Sequence, residues 1–278
     1  MLFNFKLRPV QDIVPWERDG KYTLSWFGLT DGWYWMDCRG QELFRYTDSA
    51  IQTFKRLGFQ VSDFPYTDYQ VVRLWEDILG IFPDVLEPIP AEVLRKIKPG
   101  QVASCWDQQL AELIFTEERE VSKLEETKYE SATDWLKLRR LYTSYLNQRP
   151  GIWLWSDGKQ VFIRWNCTGL TTDDHEVWTA QAGTYSLPVE AFIEEVRSFN
   201  QRLMTEMNDR VQQIQQKWDR PEIEIDKKQL VYEQSERAQW FNEALQRSKG
   251  VVRTNWTDVI EAISSFEKAH LIPSDSKL

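Results

Sequence analysis

Histidine and cysteine are scarce, with two His and three Cys in 278 residues. Cys38, Cys105 and Cys167 are far apart, odd in number and without metal spacing, so they outline neither a zinc site nor a disulfide framework. A thiol nucleophile needs a base beside it, and His175 and His270 sit in a polar stretch and near the C-terminus. Glycine-rich phosphate loops, H-E-x-x-H and G-x-S-x-G are absent. No apolar run reaches the roughly 18 residues of a membrane span. MLFNFKLRPV lacks the apolar core and cleavage site of a signal peptide, so a cytoplasmic location is expected. Basic residues are also in deficit: 34 Lys and Arg against 43 Asp and Glu leave a net charge of −9. That balance disfavours nucleic acid, whose binders need a basic face. The deficit is spread along the chain, with 19 basic against 23 acidic residues in 1–150 and 15 against 20 beyond.

Aromatic residues are plentiful, including 14 Trp. Phe3, Phe5 and Leu7 alternate with Asn4, Lys6 and Arg8, as in a half-buried strand. Residues 22–46 predict three antiparallel strands near 22–28, 33–38 and 41–46, with turns at Asp31-Gly32 and Arg39-Gly40. Helices are expected at 49–57, ended by Gly58, and after a cap at Thr67 or Asp68, stopped by Gly80 and Pro83. A short helix at 91–97 and a helical stretch over 101–146 follow, the latter carrying the acidic run TEEREVSKLEET. IWLWSDGKQVFIRWN predicts a hairpin around Asp157-Gly158, TTDDH reads as a loop, and HEVWTAQ and GTYSL predict two more strands. The longest helix is expected over 188–217, with helices at 227–247 and 257–269 behind it and SDSKL as a loose tail.

These elements imply an α+β fold: two antiparallel, aromatic-rich hairpin or meander units packed with long helices. The turns between strands are too short for parallel crossovers. WFGLTDGWYWMD and WLWSDGKQVFIRWN suggest an internal duplication, although Asp-Gly hairpins with aromatic strands also recur without one. The chain reads as one module, 1–278, with sub-units at 1–100 and 150–278 joined by a helical connection at 101–149.

Several blocks carry a resemblance: F-x-F-x-L-R-P with PW at 15–16, LSWFGLTDGWYW, GQELFRY, VVRLWEDIL, IWLWSDG, VFIRWN, VWTAQAGTYSLPVEAFIEEVRSFNQRLMTEM and ERAQWF. Together, from residue 3 to about 247, they resemble a family of bacterial proteins catalogued only as a domain of unknown function. The resemblance implies a bacterial cytosolic setting and one full-length module. It implies no activity.

Candidate chemistry is therefore read from the residues. Asp173, Asp174, His175 and Glu176 form a solvated loop or a site for a hard cation. Glu76 with Asp77, or Glu194 with Glu195, offer helical carboxylates for acid–base work or for salt bridges. No catalytic, metal or cofactor site is assigned. Trp and Tyr interleaved with charge are more distinctive. Trp33 and Trp35 share one strand face and Tyr34 and Met36 the other. Trp153 and Trp155 likewise oppose Ile152 and Leu154. If Leu154 faces the core, the two indoles need either a covering helix or a partner. Arg45, Arg73 and Arg164 are candidate internal arginines that need carboxylates such as Glu42 or Glu76. The candidate binding set is Trp26, Asp31, Trp33, Trp35, Glu42, Arg73, Glu76, Trp153, Trp155, Arg164 and Trp165. The leading expectation is a bacterial cytosolic protein-binding protein, in the manner of an immunity or antitoxin protein that neutralises a basic toxin. The alternative is a small-molecule-binding protein or enzyme with an aromatic pocket lined by carboxylates and arginines. The sequence leaves the oligomeric state open.

Overall fold

The computed structural model describes residues 1–59, 61–96, 123–250 and 252–268. Cys105, His270 and residues 101–122 of the stretch read as helix over 101–146 lie outside the described residues; of the remainder, Lys123–Lys137 is helical and 138–146 is not. The first half contains β1 (Phe3–Leu7), β2 (Trp16–Arg18), β3 (Lys21–Thr23), β4 (Asp31–Cys38), β5 (Gln41–Leu43), α1 (Asp48–Arg56), β6 (Thr67–Gln70), α2 (Val71–Leu86) and α3 (Ala91–Lys96). After α4 (Lys123–Lys137) come β7 (Gly151–Ser156), β8 (Gln160–Asn166), β9 (Thr171–Thr172), β10 (His175–Glu176) and β11 (Ala182–Pro188). The chain continues with α5 (Val189–Gln216), β12 (Ile223–Glu224), α6 (Lys227–Arg247) and α7 (Trp256–Lys268).

The fold is α+β. β4 is the centre of one antiparallel sheet, flanked by β1 on one side and by β5 and β6 on the other. A second antiparallel sheet runs β11-β8-β7. A third pairs the β2–β3 hairpin with β12, which joins β3 in parallel from more than 190 residues downstream.

Asp31-Gly32 is not a turn: both residues open β4, and the chain reverses instead in the 3-10 turn Gly28–Thr30. A Cβ on Gly32 would lie 2.3 Å from the Lys6 carbonyl oxygen, so the glycine admits the close approach of β1. Asp157-Gly158 is a turn, with Gly158 at φ +88°. The match that suggested a duplication therefore has no common turn beneath it. Gly80 and Pro83 do not stop α2, which continues to Leu86. Burial of Leu79, Phe82 and Val85 outweighs the hydrogen bond that Pro83 removes. Thr67 and Asp68 belong to β6 rather than to a helix cap. The expected strand at 22–28 is shorter, ending at Thr23, and HEVWTAQ keeps only His175–Glu176 in strand.

One core cluster draws residues from Leu2 to Ala244. The α5 stripe of Phe192, Val196, Phe199, Leu203, Met207, Val211 and Ile214 is buried within it, as its helical spacing predicts. A second, smaller cluster settles the Trp153 and Trp155 question. Both indoles point away from Leu154 and are buried against Ile89, Val93, Ala132, Trp135, Val259, Ala262 and Ile263. Helices α3, α4 and α7 cover them, so they form no exposed recognition face. Glu87 ties this layer together. It accepts from Arg139 Nη2 (2.9 Å), the Arg253 and Thr254 amides (2.9 and 3.0 Å), Thr254 Oγ1 (2.7 Å) and Trp256 Nε1 (3.2 Å). Among the described residues no helix is long and apolar enough to cross a membrane.

Candidate functional site

The outward face of the β4 sheet carries one row of chemistry. Lys6, Trp33 and Asp68 lie side by side in register across β1, β4 and β6. Period-two alternation puts Asp31, Trp33 and Trp35 on this face and sends Tyr34 and Met36 into the core, as expected. Arg8, just past the end of β1, folds back over the row. Its guanidinium lies 4.4 Å from the Trp33 ring centre. Nε donates to Asp31 Oδ2 at 2.8 Å, and Nη2 reaches Asp68 Oδ1 and Oδ2 at 2.7 and 2.8 Å. Burial works to lower the pKa of Arg8, but Asp68 and Asp31 outweigh it and hold the guanidinium above its ordinary value. Burial pushes the Asp68 carboxyl up, and Arg8 offsets only part of that.

Arg8, Asp31, Asp68 and Gln70 form the floor of an open groove of about 820 Å³. One wall is the 12–16 segment, with Asp12, Val14 and Trp16; the other is the end of α1 and its continuation, with Lys55, Gly58, Phe59, Val61 and Ser62. Local structure sets both walls. Trp16 packs against Phe27, ring centres 5.9 Å apart. Gly58, at φ +84°, ends α1 and lets the Phe59 amide return to the Phe54 carbonyl at 2.9 Å, which turns the chain into the groove wall. Val14 (75% exposed), Phe59 (52%) and Trp16 (44%) are large apolar side chains left open to solvent here. Lys55 is already engaged by Asp63. The groove thus combines exposed aromatic surface with three carboxylates and one half-buried guanidinium that two of them hold.

The other candidate residues go elsewhere. Trp35 stacks on Tyr66 at 4.2 Å, beside Glu42, which accepts from Tyr66 Oη (2.8 Å) and Arg45 (2.6 Å). Trp26, Arg73 and Glu76 meet in a packed cluster between α2 and α6. There Arg237 lies between Trp26 and Trp240, 4.5 and 4.8 Å from their ring centres, and donates to Glu76 Oε1 at 2.5 Å. Arg73 reaches Glu76 at 3.4 Å. Next to it Asp77 accepts from Tyr145, which accepts from Tyr34, at 3.2 and 3.1 Å. Burial pushes the Asp77 carboxyl up to about 7. Trp165 is a core residue, and a Cβ on Gly183 would lie 2.3 Å from its ring. Arg164 is half-buried on β8, in register with Trp153 and Thr184. The set does not converge on one sheet. Asp173, Asp174, His175 and Glu176 lie in and between β9 and β10, where Asp173 pairs with Arg56, and among the described residues no group of three or more His, Cys, Asp or Glu is placed to hold a metal ion.

Of the twelve residues that line the groove only Asp31 was in the candidate set; the missed residues that matter most are Arg8, Trp16, Phe59 and Asp68. Arg8 did carry a signal, since it continues the polar phase of the Phe3–Leu7 alternation. All four stand within residues 2–262, which match a family described as a family of unknown function, DUF5984. The chain belongs to this family. Comparison with curated proteins and with solved structures gives no match. DUF5984 brings no activity with it, so the chemistry of the groove carries the functional argument.

Proposed function

We propose that this DUF5984 protein is a protein-binding protein whose groove around Arg8 receives basic side chains of a partner. The observation that carries the reading is the juxtaposition of exposed Trp16 and Phe59 with the carboxylates of Asp12, Asp31 and Asp68. A guanidinium or ammonium entering there meets aromatic faces for cation–π contact and acceptors for charge-assisted hydrogen bonds. The net charge of −9 steers a basic protein toward the surface and raises its association rate. A bacterial cytosolic antidote that neutralises a basic toxin is the specific form of this proposal.

Co-purification from the source organism at low salt, followed by reconstitution with the purified partner, tests it. The proposal expects a basic protein whose binding falls with salt and is lost in Asp31→Asn/Asp68→Asn. Recovery of no basic protein, or binding indifferent to that variant, contradicts it. The groove volume also falls in the range of small-molecule sites, about 300–1,000 Å³. A thermal-shift screen against metals, nucleotides and sugars addresses that second reading, because a ligand bound only by the native state raises the melting temperature.

A further inference from the structure

Among the described residues the groove opens beside an unpaired sheet edge. β2 is the outermost strand of the order β12-β3-β2, and all three of its residues are exposed. Its register is Trp16 opposite Thr23, Glu17 opposite Tyr22 and Arg18 opposite Lys21, closed by the two-residue turn Asp19-Gly20 with both φ positive. In a hairpin closed this way the hydrogen-bonded pairs alternate. Arg18 and Trp16 bond inward to β3, and the N–H and C=O of Glu17 point outward from the edge. Trp16 and Val14, two residues apart in extended chain, both face the groove.

We infer that the groove recognises an extended basic segment of the partner that adds as a short strand to β2, bonding its backbone to Glu17 and placing alternate basic side chains against Asp31 and Asp68. This rests on the protein-binding reading above and names the form of its ligand. A residue paired with Glu17 shares Glu17's face of the sheet, and its two neighbours fall on the Trp16 face, toward the groove. The motif is therefore basic-x-basic. Val14 lines the groove and Arg18 does not, so the segment lies toward Val14, and an incoming basic side chain shares Asp31 and Asp68 with Arg8, which already holds them. Pro15 has no N–H and ends the ladder, so the edge offers one bonding residue. The backbone contact sets register and the groove supplies most of the affinity.

Three labelled hexapeptides test this by fluorescence anisotropy on the full chain: alternating Arg-Thr-Arg-Thr-Arg-Thr, the block isomer Arg-Arg-Arg-Thr-Thr-Thr, and the alternating peptide with N-methylated threonines. The inference expects the alternating peptide to bind about fivefold more tightly than either control, the loss of one or two hydrogen bonds and of register. It also expects slower hydrogen exchange at the Glu17 amide when that peptide is bound. Equal affinities for all three, with binding still lost in Asp31→Asn/Asp68→Asn, overturn strand addition and leave the groove reading standing. No binding of any peptide at low salt overturns both.

Discussion

Arg8 shows how one side chain organises a surface. It lies over Trp33 and joins two carboxylates that come from β4 and β6. Replacing it leaves Asp31 and Asp68 facing each other without a counter-charge. Arg8→Met is expected to lower stability by about 1–3 kcal/mol in urea titration. Asp77 supplies a pH test. Its folded-state carboxyl, held up to about 7, retains a proton that the unfolded chain has already released. The stability contributed by this group is full below about pH 4 and is lost as pH rises toward 7. Asp77→Asn keeps an acceptor for Tyr145 and removes the titration. It is expected to be more stable than the native chain above pH 7, by on the order of 2 kcal/mol, with the difference shrinking in acid. A constant difference from pH 4 to 8 would count against it. At this scale the alternation rule placed Trp33 and Trp35 correctly. It did not find Arg237, whose ring partners Trp26 and Trp240 come from distant and neighbouring chain respectively, because no periodicity links residues across 200 positions.

Elements were legible where the pattern was long and illegible where a glycine or proline had a tertiary reason. The 28-residue α5 follows its apolar stripe, and the Asp157-Gly158 hairpin forms where expected. Gly32 and Pro83 misled because their environments, the β1 backbone and the core beneath α2, are not local. The paired outward indoles posed the right question, and the answer came from α3, α4 and α7. Glu87 and the fully buried Arg139 hold that cover in place. Arg139→Ala leaves the Glu87 carboxylate with its hydrogen bonds from Arg253, Thr254 and Trp256 but without its buried counter-charge, and is expected to cost about 3 kcal/mol in chemical denaturation. Ile263→Asp puts a charge against the same small core; it is expected to release α7 and raise the exposure of Trp153 and Trp155 to a fluorescence quencher such as acrylamide. Unchanged quenching would mean that α7 does not shield the indoles.

Across the whole molecule the net charge of −9 is diffuse, and diffuse charge alone selects no partner site. The groove gives that charge a focus, where carboxylates stand beside aromatic surface open to solvent. The distinction between field and site decides the account. Calorimetric titration of hexa-arginine into three forms of the protein separates the two: the native chain, Asp31→Asn/Asp68→Asn, and Glu190→Gln/Glu194→Gln, whose two lost charges come from exposed positions on α5. The account predicts that the groove variant loses about tenfold or more in affinity while the α5 variant stays within about twofold of the native chain. Equal losses in the two variants would contradict it, since binding would then follow net charge and the groove would have no part in it.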